Sequence, residues 1–354
     1  MKYMRVWAIA LGMCLGISMV CGANNSIEVK KVAPNSPESK PLVLVSVPPL
    51  VQIVRAIAGD SVEVQSIVPA EVSPETYEPK PAQAHLFTKA LAFVGVGMEY
   101  EHVLQERLGA RLWEASLESS HAHPLKSTTK STSKTPKSTT MIYYNLAASQ
   151  ALKPLLTNTA QKAHRESTTP HLDSQVDSHT STLTHSHEHE NHDPHIWLSL
   201  DFATINAREI YALLCAILPA HKPLYTRNLA EFLARIESLQ QEFASMLASK
   251  KGGAFLVIHP AFGYLAREFE LEEIALEENG KELGLKALSQ LHERLEQKQV
   301  RTLFVQPQFD KGRARALADI LGLEIDILDP LQEDWEGIMR AFLHKIAKSI
   351  PNNN

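Results

Sequence analysis

The sequence predicts an α/β protein of two lobes, each a mostly parallel sheet flanked by helices, with one long helix placed to join them. Three observations predict this. Short apolar runs alternate with helical patterns in the first third of the chain, the grammar of a parallel sheet with helical crossovers. The same alternation restarts after residue 250. Between the two lies a helical pattern of about 25 residues, long enough to reach nearly 40 Å at about 1.5 Å per residue.

The elements follow in order. Residues 24–41 are polar and proline-bearing and read as a linker, and the first lobe spans 42–200. It opens on a buried-strand run, Pro41 to Val47, followed by a helix over Val51–Ala58 and a second strand over Val62–Val68. A loop from Pro69 to Pro81 is stiffened by four prolines. A helix over Ala82–Lys89, a strand over Leu91–Val96 and a helix to about Gly109 complete the pattern. Order resumes over Tyr143–Leu156. Residues 201–250 are helical: Asp201–Leu218, then Leu224 to Ser249, with Leu229, Phe232, Leu233, Ile236, Leu239, Phe243 and Leu247 at helical spacing. A coiled coil is the plainer reading of that stripe, but about three heptads are too few to favour it. The second lobe, 251–354, reads as strands at Ala254–Ile258, Val300–Val305 and Glu324–Leu328. Helices are expected at Gly263–Phe269, Leu283–Lys298, Lys311–Leu321 and Trp335–Ile350.

Two stretches belong to neither lobe. Residues 119–140 turn abruptly to Ser, Thr, Lys and Pro, and 157–192 form a second polar insertion ending in His185, His187, His189 and His192. Such compositions bury no core. At the N-terminus, Lys2 and Arg5 precede an uncharged run from Val6 to Val20 and a small-residue stretch, Cys21-Gly22-Ala23. Residues 1–23 therefore read as an export signal. The run is short for a membrane span, which needs about 20 residues. Cys21 offers a lipid-anchor alternative, although Met19-Val20 fits such a site poorly.

Composition narrows the function. The 354 residues are 44% hydrophobic and 21% charged, with a net charge of −5 and no basic face to attract nucleic acid. The chain has three cysteines, and Cys14 and Cys21 lie in or beside the signal, so a disulfide framework and paired-thiolate zinc sites are excluded. Cys215 reads as a small buried hydrophobe. Histidine is the anomaly: there are 16, and eight fall between His164 and His195.

Four candidate metal ligands are Glu75, His195, His259 and Asp329. Glu75 lies in the loop after the second strand, and His259 and Asp329 cap apolar runs in the second lobe. In open parallel sheets ligands bind outside the strand C-termini, where the loops part. His195 precedes its apolar residues and fits this rule less well. Two candidates come from each lobe, so lobe closure assembles a four-coordinate N/O site suited to Zn²⁺ or Mn²⁺. Singly, a His-Pro or Asp-Pro is more often a turn; joint placement and the neighbouring histidines raise the odds.

Five stretches carry a family resemblance: Glu75-Thr76-Tyr77-Glu78-Pro79-Lys80-Pro81, Asp193-Pro194-His195-Ile196-Trp197-Leu198, His259-Pro260-Ala261-Phe262-Gly263-Tyr264, Leu303-Phe304-Val305-Gln306-Pro307-Gln308 and Ile327-Leu328-Asp329-Pro330-Leu331. Over residues 42–350 the chain resembles the zinc- and manganese-binding receptors of ABC transporters, of the zinc-uptake type with a His-rich loop. The resemblance implies two α/β lobes joined by a rigid helix, a metal site in the interlobe cleft, and ligands Glu75, His195, His259 and Asp329. It implies a monomeric extracytoplasmic receptor, spanning no membrane, that delivers Zn²⁺, or alternatively Mn²⁺ or Fe²⁺, to an inner-membrane permease. The His-rich loop occupies the place where zinc-type members carry one, and implies low-affinity metal capture; a solvated spacer is its plainer reading.

One departure stands out. The family's first motif begins with histidine, whereas this chain has Glu75. Two carboxylates with two imidazoles form a harder set, which favours Mn²⁺ or Fe²⁺ comparatively, while the His-rich loop favours zinc. His85, one turn into the next helix, is a possible substitute, although a surface role suits it better. A metal buffer or adhesin uncoupled from transport is the alternative function. A metal-dependent hydrolase needs a vacant coordination position, which opens only if Glu75 does not coordinate, and no catalytic motif accompanies it. The long helix implies modest closure, with release by local loop movement.

Overall fold

The computed structural model describes residues 40–108, 111–112, 141–152, 193–278, 281–282 and 285–352. The export signal, most of the linker, both low-complexity insertions and the four loop histidines lie outside the described residues.

The first sheet is built from β1 (Leu42–Val45), β2 (Glu63–Ser66), β3 (Ala92–Gly95), β4 (Arg111–Leu112) and β5 (Ile142–Asn145), in the order β2-β1-β3-β5-β4. Every pairing is parallel. The crossovers include α1 (Pro49–Ala58), α2 (Ala84–Lys89) and α3 (Glu99–Leu108). α1 buries Leu50, Val51, Ile53, Val54 and Ile57, a broad apolar face that packs on two helices following the first sheet. These are α4 (Leu200–Ile217) and α5 (Lys222–Met246).

The second sheet runs β11-β10-β6-β7, again wholly parallel, from β6 (Ala254–Val257), β7 (Glu272–Ala275), β10 (Thr302–Val305) and β11 (Glu324–Ile327). Between them come α6 (Gly263–Glu268), a short antiparallel pair β8 (Glu277–Glu278) and β9 (Lys281–Glu282), α7 (Leu285–Gln297) and α8 (Lys311–Leu321). α9 (Trp335–Ser349) closes the described chain. α8 begins where Asp310 accepts the Arg313 N–H and ends at Gly322, whose φ of +67° is a left-handed cap that suits glycine. β7 went unseen in the sequence because two glutamates open it and only Ile274 is fully buried.

Side chains of the second sheet alternate between two cores, as period-2 geometry requires. Ala254, Leu256, Ile258, Leu303 and Val305 face an outer cluster with Leu291 and Leu295 of α7. Phe255, Val257 and Phe304 face inward to a core continuous with the first sheet. α5 runs through that core. Its Tyr225, Leu229, Phe232, Ile236, Leu239 and Phe243 form one buried stripe. Phe232 meets Trp335 at 5.8 Å between centroids, and Phe243 stacks on Phe342 at 6.3 Å. Thus α5 touches α1, α4 and α9. It is a brace of 25 residues, as its pattern implied.

Candidate metal centre

Three of the four candidate ligands meet. Oε1 of Glu75 lies 2.9 Å from Nε2 of His195 and 2.6 Å from Nε2 of His259. Among the described residues, these three form the one group of His, Cys, Asp or Glu whose ligand atoms all fall within 4.8 Å of one another. A small cavity lies beside them, of about 20 Å³, lined among others by Glu75, His259, Trp197 and Gln308. A space of that size holds about one water and suits an ion rather than an organic solute.

Each side chain is positioned by its own local structure. Glu75 sits in a 3₁₀ turn, Pro74–Thr76, inside the proline-rich loop after β2. Ser73 Oγ donates to its Oε2 at 2.9 Å. Behind it the loop is tied down: Tyr77 is buried and its hydroxyl donates to Gln83, whose amide donates to Ile67 O. His195 occupies the turn before α4. Asp193 Oδ1 accepts both the His195 backbone N–H, at 2.9 Å, and approaches its ring Nδ1 at 2.6 Å. That is an Asx turn whose carboxylate also orients the ring. His259 follows β6 by two residues, its carbonyl held by Gln306 Nε2 at 2.7 Å and its ring stacked on Phe309.

Asp329 stands beside this group rather than in it. It follows β11 by two residues, and its Oδ1 accepts from Leu331 N at 3.0 Å and Gln308 Nε2 at 3.3 Å. Gln308 also donates to Ala70 O at 2.6 Å, linking Asp329 to the loop that carries Glu75. His85 is exposed, its Nδ1 2.5 Å from Ala82 O in its own helix's approach.

The electrostatics are those of ionisable groups sharing protons at close range. Burial disfavours charge on His195, but Asp193 against Nδ1 and Glu75 against Nε2 overcome it and hold the imidazole up to about 10. Burial opposes ionisation of Glu75 as well. The two histidine hydrogen bonds prevail and hold its carboxyl well below the usual carboxylate range.

Two partners of the histidines were not assigned from the sequence. Asp193 lies in the Asp-Pro-His stretch, where its Asx spacing to His195 was the available clue. Glu277, 3.3 Å from His259 Nδ1, lies 18 residues away in a strand of low hydrophobicity. Other buried acids are satisfied away from the cleft. Glu101 accepts from Val96 N, Gly97 N and Tyr143 OH, and Glu209 accepts from Tyr144 OH and Ser149 Oγ.

Residues 43–349 match the model of the zinc-uptake complex component A periplasmic family, ZnuA. The chain belongs to this family. It is 28% identical to a provisionally named metal-binding protein of Treponema pallidum (strain Nichols) over 302 residues, 84% of this chain and 81% of that one. The high-affinity zinc uptake system protein ZnuA of Yersinia pestis is 25% identical over 293 residues, 82% of each chain. A crystal structure of a ZnuA deletion mutant with zinc bound superposes with a TM-score of 0.65 at 27% identity, covering 89% of this chain and 99% of that one. The ZnuA family is one of solute-binding receptors, and its two-lobed fold is the one described above.

Proposed function

We propose that this chain is the extracytoplasmic zinc receptor of an ABC transporter and that Glu75, His195, His259 and Asp329 hold the ion. The observation that carries the reading is the convergence of two imidazole Nε2 atoms on one carboxylate oxygen, at 2.9 and 2.6 Å. In tetrahedral zinc with arms of about 2.0–2.1 Å, neighbouring ligand atoms stand roughly 3.3 Å apart. A spread of about half an ångström therefore converts the hydrogen-bonded group into a first coordination sphere. The ion replaces the shared protons. Asp329 is the fourth ligand in this reading, turning from Gln308 as the ion enters.

The family gives the coarse assignment, a metal receptor working with a membrane permease. The export signal over residues 1–23, a lipid anchor at Cys21, the monomeric state and the domain division are parts of the proposal. Among the described residues, no helix is long and apolar enough to cross a membrane. The loop histidines His185, His187, His189 and His192 are proposed as a weak collector that raises the local zinc concentration near the cleft.

The test is a competitive zinc titration of the mature chain against a chromophoric chelator, beside His259→Ala. One tight equivalent in the parent, lost by more than about 100-fold in the variant, is expected, since outer-shell changes alone cost about 10–100-fold. Equal affinity in both would remove His259 from the site and the proposal with it.

A further inference from the structure

The ligand assignment above leaves Glu277 unexplained. It is half-buried, it opens the short strand β8, and its carboxylate faces the ring nitrogen of His259 that points away from the cleft. The backbone sets it there: Glu277 N donates to Ile258 O at 3.0 Å, the residue just before His259. Glu277 Oε2 then lies 3.3 Å from His259 Nδ1, with side-chain exposures of 18% and 17%, so little water competes for the contact. Across the site, Asp193 stands in the same relation to Nδ1 of His195, at 2.6 Å. Both imidazoles therefore present Nε2 to the cleft and Nδ1 to a carboxylate.

We propose that Glu277 is a positioning residue for the cargo ion, holding His259 in the tautomer that carries its proton on Nδ1 and offers the Nε2 lone pair to the metal. The inference rests on the reading of His259 as a ligand. An imidazole can give a metal only an unprotonated nitrogen, and a carboxylate behind the other nitrogen selects the tautomer and raises ligand basicity. In the metal-free protein Glu75 meets Nε2 at 2.6 Å, a contact that gives way to the ion in this reading; the other constraints on the ring, Phe309 on one face and Gln306 on the backbone carbonyl, fix its place but choose neither nitrogen. Glu277 alone among these supplies the choice.

The experiment compares the mature parent with Glu277→Gln and His259→Ala. Two quantities are read: zinc affinity by chelator competition, and long-range proton–nitrogen correlation spectra of the zinc-loaded parent and Glu277→Gln. Expected is a loss of about 10–100-fold in affinity for Glu277→Gln, with the Nδ1-bound proton of His259 moved upfield and that of His195 unmoved. Glutamine is isosteric and its site partly exposed, so an unchanged thermal midpoint of the metal-free protein is expected beside this. A Glu277→Gln protein that binds zinc within twofold of the parent overturns the proposal, provided His259→Ala binds weakly. So does weakened binding with the His259 proton unmoved. If His259→Ala also binds like the parent, the ligand reading has failed, and the positioning role falls with it.

Discussion

Zinc binding to this protein should expel a proton from His195, and the size of the effect follows from the site. Its imidazole is held up to about 10, burial working against the charge and Asp193 and Glu75 outweighing it. At pH 7 about one molecule in a thousand carries it neutral, and removing the proton costs about 4 kcal/mol, at 1.36 kcal/mol for each unit. Because zinc takes only the neutral ring, binding releases about one proton from this residue at any pH between 6 and 8. Affinity should therefore rise about 100-fold over those two units. An imidazole at its ordinary value of about 6.5 would release about a quarter of a proton at pH 7 and give a rise of about fourfold. For the metal-free fold the sign is the reverse. The raised value stabilises the fold fully below about pH 6.5, and that contribution is lost as pH climbs through about 10. The assay is calorimetry at pH 7 in buffers of different ionisation enthalpy, whose slope counts protons, repeated at pH 6 and 8. Asp193→Asn should lower the count, since the Asp193 charge is the largest influence raising His195. A parent count near a quarter with a nearly flat affinity profile would refute the reasoning.

Three further outcomes are expected. Glu75→His should raise the preference for zinc over manganese, because it exchanges a hard oxygen for an imidazole; competition between the two ions measures it. Glu268 is pushed up to about 8 by burial and then by neighbouring Asp201. The fold therefore gains stability from its proton below about pH 4.5 and loses it as pH rises through about 8. Glu268→Gln should accordingly show a smaller fall in thermal midpoint than the parent between pH 5 and 8.5. Trp335→Phe keeps the buried ring but removes the bond from Nε1 to Trp197 O, 2.7 Å. It should cost about 1–3 kcal/mol in urea unfolding by leaving that carbonyl unsatisfied, and it should quicken zinc loss to a chelator.

The sequence was most legible where local chemistry and tertiary burial agree. α8 runs over the predicted residues because Asp310 and Gly322 cap it at both ends. The inner strands β1, β3, β6 and β10 were visible because parallel strands buried on both faces read as apolar runs, and β7 was missed because two glutamates open it and leave only Ile274 fully buried. At the site, placement past strand ends singled out Glu75, His259 and Asp329, and His195, which fits that rule less well, stood as a candidate beside the neighbouring histidines before the family motif gave it a role. What no pattern gave is how close the groups lie. Asp329 is set apart from the other three by its bonds to Gln308 and Leu331, and the partnership of Glu277 with His259 depends on β8 crossing beside the end of β6. Such through-space pairing has no period in the chain.

The structure also bears on which part of the site moves. By chain order His195 precedes α4, but the residues around it are bonded to elements that follow α5. Trp197 Nε1 donates to Pro330 O at 3.0 Å, Trp335 Nε1 to Trp197 O, and Tyr264 OH to Asp193 O at 2.7 Å. Glu268 accepts from Ser199 Oγ and, at 3.1 Å, from Leu200 N. His195 is thus tied to the elements around His259, and Glu75 sits in the separate loop after β2. Two motions could part them. A hinge between the lobes would pull Trp335 and Phe342 from α5, where both are 0% exposed. At about 25 cal/mol per Å² and about 150–250 Å² for each ring, uncovering the two costs about 8–12 kcal/mol. Moving the Glu75 loop breaks a few partly exposed hydrogen bonds, chiefly Gln308 to Ala70, at about 1 kcal/mol, and in the metal-free protein those from Glu75 to His195 and His259, at about 1.5–3 kcal/mol each. The loop is the cheaper path by several kcal/mol. Metal-free and zinc-loaded protein should therefore give superimposable small-angle scattering profiles, while hydrogen exchange over residues 69–81 slows on loading. A change in the scattering radius with exchange there unaltered would put the motion in the hinge.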